Sequence, residues 1–122
     1  MPATTRNNQL KERLARSSEI TITVTGRKSG RSISIPVWFV WENDTLNLLP
    51  VQGSDTQWYK NVLKNSKMGI DVGGAEGEFK AVPITDHKQV TSIADKFRKK
   101  YSAGDVKKYY SKLDVAVLAE PQ

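Results

Sequence analysis

The chain has 122 residues, with 38% hydrophobic and 26% charged side chains, a balance that fits one soluble globular unit and excludes a disordered or membrane-buried chain. It has no cysteine and a single histidine, His87, which removes disulfides, thiolate nucleophiles and multi-histidine or cysteine-ligated metal centres. A net charge of +6 favours anions of several kinds: nucleic acid, anionic lipid, or a phosphorylated or carboxylate-rich small molecule.

No stretch approaches the roughly 18 apolar residues that span a bilayer. The first 16 residues are polar and lack the apolar run of a secretory signal, so a cytoplasmic protein is expected. Residues 7–16 predict a polar helix with Leu10 and Leu14 one turn apart. Residues 20–25 alternate Ile20, Ile22 and Val24 with three threonines, the pattern of a half-buried strand. A basic turn follows from Gly26 to Gly30. Residues 33–41 predict a second strand, apolar on both faces, which implies burial on both or one face lining a ligand pocket. Pro36 lacks an amide donor, so this strand is expected at a sheet edge or at a bulge.

A hairpin turn at Glu42, Asn43 and Asp44 leads into a strand over 45–51. Ser54 or Asp55 is the expected N-cap of the next helix, in which Trp58 with Val62 and Tyr59 with Leu63 form i, i+4 pairs. Strands over 67–72 and 78–85 flank Gly73 and Gly74. Val90, Ile93, Ala94, Phe97 and Tyr101 then mark a helix that Asp86 opens and Gly104 is expected to end. A short helix over 105–112 and a strand over 114–119 close the chain. Without regular strand–helix alternation a doubly wound parallel sheet does not fit. The expectation is a mainly β, α+β fold: one domain over 1–122, with an N-terminal helix in 1–17 and a mostly antiparallel barrel with peripheral helices in 18–122.

Chemistry concentrates at the turn. Arg27, Lys28 and Arg31 fall within five residues around Ser29, bracketed by glycines. Such a turn can aim backbone amides into an anion-binding nest, or it can be a solvated hairpin turn, and residue chemistry alone leaves both open. The glycine spacing is not that of a Walker loop. His87 reads as a solvated first-turn residue, and the lysine runs near 96–100 and 107–112 as wet helix faces. No nucleic-acid motif is present, so nucleic acid is not an expected partner.

The run from Thr25 to Arg31, followed by Pro36 and Trp38, and then by Trp58-Tyr59-Lys60-Asn61, resembles the deazaflavin-dependent nitroreductases. The similarity runs in order from about Leu10 to Pro121. It implies a split β-barrel and an oxidoreductase that moves a hydride from reduced coenzyme F-420 to a small organic substrate. It also implies a cofactor site in which Arg27, Lys28, Ser29 and Arg31 hold the anionic tail and Pro36, Val37 and Trp38 line the ring. Val51, Gln52 and Gly53 after the third strand, with Trp58 and Tyr59, would complete that site, and Tyr109 and Tyr110 would face the substrate. Neighbouring helical residues point about 100° apart, so at most one of these two tyrosines is expected to aim straight at the pocket. Ile33 stands where many members carry a basic residue, and Val51-Gln52 where many carry a serine-lysine pair. This leaves FMN as the alternative cofactor. Split-barrel flavoproteins are commonly dimers, so a homodimer is also expected.

Overall fold

The computed structural model describes residues 2–122, with side chains from Gln9 onward; Met1, part of the expected N-terminal segment, lies outside the described residues. The elements in chain order are α1 (Pro2–Arg16), β1 (Ile20–Thr25), β2 (Ser32–Val37), β3 (Val40–Glu42), β4 (Thr45–Leu48), α2 (Gln57–Lys64), β5 (Lys67–Val72), β6 (Ala75–Ile84), α3 (His87–Tyr101), α4 (Ala103–Tyr109) and β7 (Ala116–Pro121). The seven strands form one sheet in the order β2-β1-β5-β6-β7-β4-β3, antiparallel at every pairing.

The two edge strands, β2 and β3, are sequence neighbours. Only Trp38 and Phe39 separate them, and three Cα steps reach at most about 11 Å. The sheet must therefore curl until its edges nearly meet, which makes it a split barrel. This corrects the expected continuous strand over 33–41: two of its residues cross from one edge to the other. Pro36 does lie in an edge strand, paired with Thr21 of β1 alone. Because β2 has a neighbour on one side only, Ile33 stays exposed and Ile35 and Val37 are only partly buried.

Strand alternation sorts the core into two layers. Ile20, Ile22 and Val24 of β1 point inward with Met68, Ile70, Phe79, Val117 and Ala119, and α1 and α2 cap this layer through Leu10, Leu14, Trp58, Tyr59 and Val62. On the other face Ala116 and Leu118 pack beneath Val90, Ile93, Ala94 and Phe97 of α3 and Val106 of α4. β7 is thus covered on both faces, as its apolar run requires.

Several boundaries differ from the sequence expectation. The third strand ends at Leu48. Residues Gly53–Asp55 form a 3-10 turn, and Thr56, not Ser54 or Asp55, occupies the N-cap of α2. Its hydroxyl accepts instead from the Gln52 amide at 2.8 Å. Leu63 is exposed, so the expected Tyr59–Leu63 pair does not join the core. Asp86 caps α3 as anticipated, accepting from the Gln89 amide at 3.1 Å. Gly104 does not end that helix; Ser102, at φ 92°, breaks the chain and its hydroxyl caps α4. No described helix is long and apolar enough to cross a membrane.

Candidate functional site

A cavity of about 240 Å³ opens where the barrel is split. Pro36, Val37 and Trp38 form one wall as the chain leaves β2, and Leu49 and Val51 form another as it leaves β4. Trp58 closes the floor from α2, and Glu19, Tyr109 and Tyr110 stand around the remaining side. The lining is therefore apolar and aromatic, with a few polar tips, the usual make-up of a small-molecule pocket.

The Trp38 wall is fixed by α3. Trp38 stacks on Tyr101 with ring centroids 4.4 Å apart and planes 9° apart. The Tyr101 hydroxyl accepts from the Phe39 amide at 3.0 Å and lies 2.7 Å from the Ser18 carbonyl and 2.8 Å from the Phe39 carbonyl, donating to one of them. Lys100 adds bonds to the Phe39 carbonyl at 2.8 Å and the Ser17 carbonyl at 3.0 Å. Its ammonium also lies 3.7 Å from the Phe39 ring centroid. These two side chains satisfy the backbone groups that lose sheet partners where Phe39 crosses the split. Burial raises the Tyr101 hydroxyl to about 12, opposed by the Phe39 backbone hydrogen bond and helped by the Glu19 charge. Lys100 is exposed as a residue, but partial burial lowers its ammonium to about 8. Sequence reading took Lys100 for part of a wet helix face and overlooked Glu19 altogether. Neither carries a local motif.

Tyr109 and Tyr110 both line the cavity, contrary to the helical expectation that only one would. α4 ends at Tyr109, and Tyr110 adopts an extended conformation at φ −108°, ψ 102°, so the 100° rule no longer applies. Tyr109 meets Trp38 edge-on at 5.4 Å and is largely exposed. Tyr110 is buried, and burial first, then the neighbouring Tyr101, pushes its hydroxyl well above the usual tyrosine range. Both tyrosines are carried by a segment latched to the 3-10 turn. Ser54 donates to Asp114 through its hydroxyl at 2.6 Å and its amide at 2.9 Å, and Ser111 donates its amide to the Val51 carbonyl at 2.9 Å.

The basic turn forms a second, separate concavity lined by residues 25–30 with Lys64 and Asn65. Of the six amides from Gly26 to Arg31, four are already committed. Gly26 donates to the Arg31 carbonyl, Arg27 to Asn61 Oδ1, Gly30 to the Gly26 carbonyl and Arg31 to Ser29 Oγ. The Arg27 guanidinium is held on α2, at 2.8 Å from both Asn61 Oδ1 and Gln57 Oε1. Among the described residues, the free cationic groups at this turn are Lys28, Arg31 and Lys64, beside the amides of Lys28 and Ser29.

The remaining expected site residues fall elsewhere. Tyr59 is buried in the inner core, away from the cavity lining, with its hydroxyl raised by burial and by Asp114. Gln52 is exposed, and Gly53, at φ 56°, is packed under Asp114 and Lys112. Together the structure brings seven expected residues to the cavity, three to the turn concavity with Arg31 alongside, and leaves Tyr59, Gln52 and Gly53 as supports behind them.

Known proteins resemble the chain at this level of architecture. A family model described as "Uncharacterized protein conserved in bacteria (DUF2255)" matches residues 10–116. No curated protein matches. A solved F-420-H2-dependent reductase superposes with a TM-score of 0.66 at 20% identity, covering 84% of this chain and 94% of that one. A solved domain-swapped dimer gives 0.67 at 18% identity over 98% of this chain and 100% of that one. The heme storage protein HutZ from Vibrio cholerae gives 0.71 at 10% identity over 94% and 89%. Identities this low establish a shared fold and nothing finer.

Proposed function

The chain belongs to the DUF2255 family, and from that premise and the geometry above we propose that it is a cytoplasmic, deazaflavin-dependent oxidoreductase of the nitroreductase-like kind, reducing a small organic acceptor with coenzyme F-420. The observation that carries this reading is the β1–β2 hairpin. Its register sets Ile20 opposite Val37 at one end and Thr25 opposite Ser32 at the other. The aromatic cavity opens at the first end and the cationic turn at the second, five residues or about 17 Å apart. That arrangement suits an elongated ligand with a planar head and an anionic tail. The cavity is smaller than the roughly 300–1,000 Å³ of sites that enclose drug-sized molecules, so it would take the head and leave the tail on the surface. One solved relative of the same fold bears the name of an F-420-H2-dependent reductase.

When bound, the deazaflavin supplies the hydride chemistry. The protein's part is orientation and proton handling. Trp38, backed rigidly by Tyr101, presents a flat wall for the ring. Lys28, Arg31 and Lys64 would attract the tail, and the Lys28 and Ser29 amides offer fixed donors for a phosphate. Tyr110 keeps its proton across the neutral range and can hold it at an acceptor oxygen.

Titration of oxidised coenzyme F-420, followed by tryptophan fluorescence, tests the reading: saturable binding is expected, and its absence at high micromolar concentration removes the proposal. FMN is the second reading. The small set of free donors at the turn is enough for one phosphate, and tighter binding of FMN in the same titration would install it. A homodimer belongs to the same proposal. The outer face of β1, β2 and β5 is left bare at Thr21, Thr23, Ser34 and Gly69, and light scattering at the mass of one chain would rule the dimer out.

A further inference from the structure

We propose that Glu19 makes the aromatic cavity select planar ring systems bearing a positive charge, and reject carboxylates. This rests on the reading of the cavity as the pocket that takes a planar aromatic head.

Glu19 is the one charged side chain among the nine residues that line the cavity. It lies in the three-residue link between α1 and β1, and the chain around it is fixed. The preceding carbonyls are held by Lys100 at 3.0 Å from Ser17 and by the Tyr101 hydroxyl at 2.7 Å from Ser18. The following residue, Ile20, is paired with Val37 in the sheet. The backbone of the link is therefore fixed at the rim, and Glu19, though exposed, lines the cavity from there. Among the described residues Glu19 has no ion pair and no hydrogen-bonded side-chain partner. Two lysines approach the aromatic walls, Lys108 at 5.3 Å from the Tyr109 ring centroid and Lys100 at 5.2 Å from that of Tyr101, yet neither lines the cavity. An unpaired carboxylate beside apolar walls projects its field into the space those walls enclose. The aromatic and apolar walls supplied by Trp38, Trp58, Tyr109 and Tyr110 set the shape, and Glu19 supplies the sign. The protein as a whole carries +6, so its surface at large pulls the other way, and a local preference for cations would have to come from the cavity.

The test uses two ring-matched probes, naphthylmethylammonium and naphthoate, titrated into the full chain by quenching of tryptophan fluorescence. Wild type should bind the cation tighter by on the order of tenfold, the size of one nearby charge in a largely aqueous setting. Glu19→Gln should abolish that preference and Glu19→Asp should retain it. A preference unchanged in Glu19→Gln, equal affinities in wild type, or binding of neither probe overturns the proposal. Coenzyme F-420 is titrated separately. A chain that discriminates between the probes but ignores the deazaflavin keeps the charge selectivity and loses only the reductase reading.

Discussion

Replacing Tyr101 with phenylalanine keeps the ring behind Trp38 and removes the hydroxyl that accepts from the Phe39 amide. The Phe39 amide then loses its partner in a half-buried setting. A cost of about 1–3 kcal/mol is expected, read by urea unfolding, and a change below experimental error would show that water replaces the hydroxyl. Lys100 acts on the Phe39 carbonyl and gives a pH signature. Its ammonium is lowered from 10.5 to about 8 in the fold. Above pH 8 the native state sheds that proton while the unfolded chain keeps it, so the unfolded state binds more protons and stability rises with pH. Tyr101, raised from 10.0 to about 12, acts in the opposite sense above pH 10, which confines the comparison to pH 8–10. Across that window the Tm of wild type should gain on that of Lys100→Met; parallel curves would refute the assignment.

Among the elements, the 3-10 turn at Gly53–Asp55 does most to shape the cavity without touching it. Gly53 sits at φ 56°, and a Cβ there would fall 2.0 Å from Asp114 Oδ1 and 3.0 Å from the Lys112 carbonyl. Gly53→Ala should therefore displace the Ser54–Asp114 latch and cost more than the roughly 1 kcal/mol of left-handed strain alone. Gly30→Ala is the control, since Gly30 has φ 72° but open space around it. Similar losses of Tm in the two variants would mean that backbone strain, not the latch, sets the cost. The latch joins the segment after Tyr110 to the exit of β4, so Gly53→Ala should also weaken ligand binding in the cavity while Gly30→Ala leaves it intact.

At the scale of the whole molecule, the basic turn divides its cations between holding the fold and facing solvent. Arg27 ties the β1–β2 hairpin to buried Asn61 of α2 at 2.8 Å, so Arg27→Ala should cost about 1.5–3 kcal/mol of stability. The double variant Lys28→Ala, Arg31→Ala should leave Tm nearly unchanged and weaken F-420 binding, with an effect that shrinks as salt rises. The reverse pattern would exchange the two roles. Much of this was legible from residues alone. Period-two alternation in β1 and the 3.6-residue stripe of α3 mark their buried faces locally, Asp86 announces its cap, and Pro36 announces an edge, because each depends on neighbours within a few positions. The sequence also marked the turn and the Pro36–Trp38 and Trp58 walls as candidate ligand contacts. It could not show that residues 38–39 leave the sheet, that Arg27 is engaged by α2, that Tyr110 escapes its helix, or that Glu19 reaches the cavity rim. Those facts follow from the tertiary packing of a seven-stranded sheet curled until β2 and β3 nearly meet, which brings together residues 34 to 83 positions apart, and no local pattern encodes a contact over that distance.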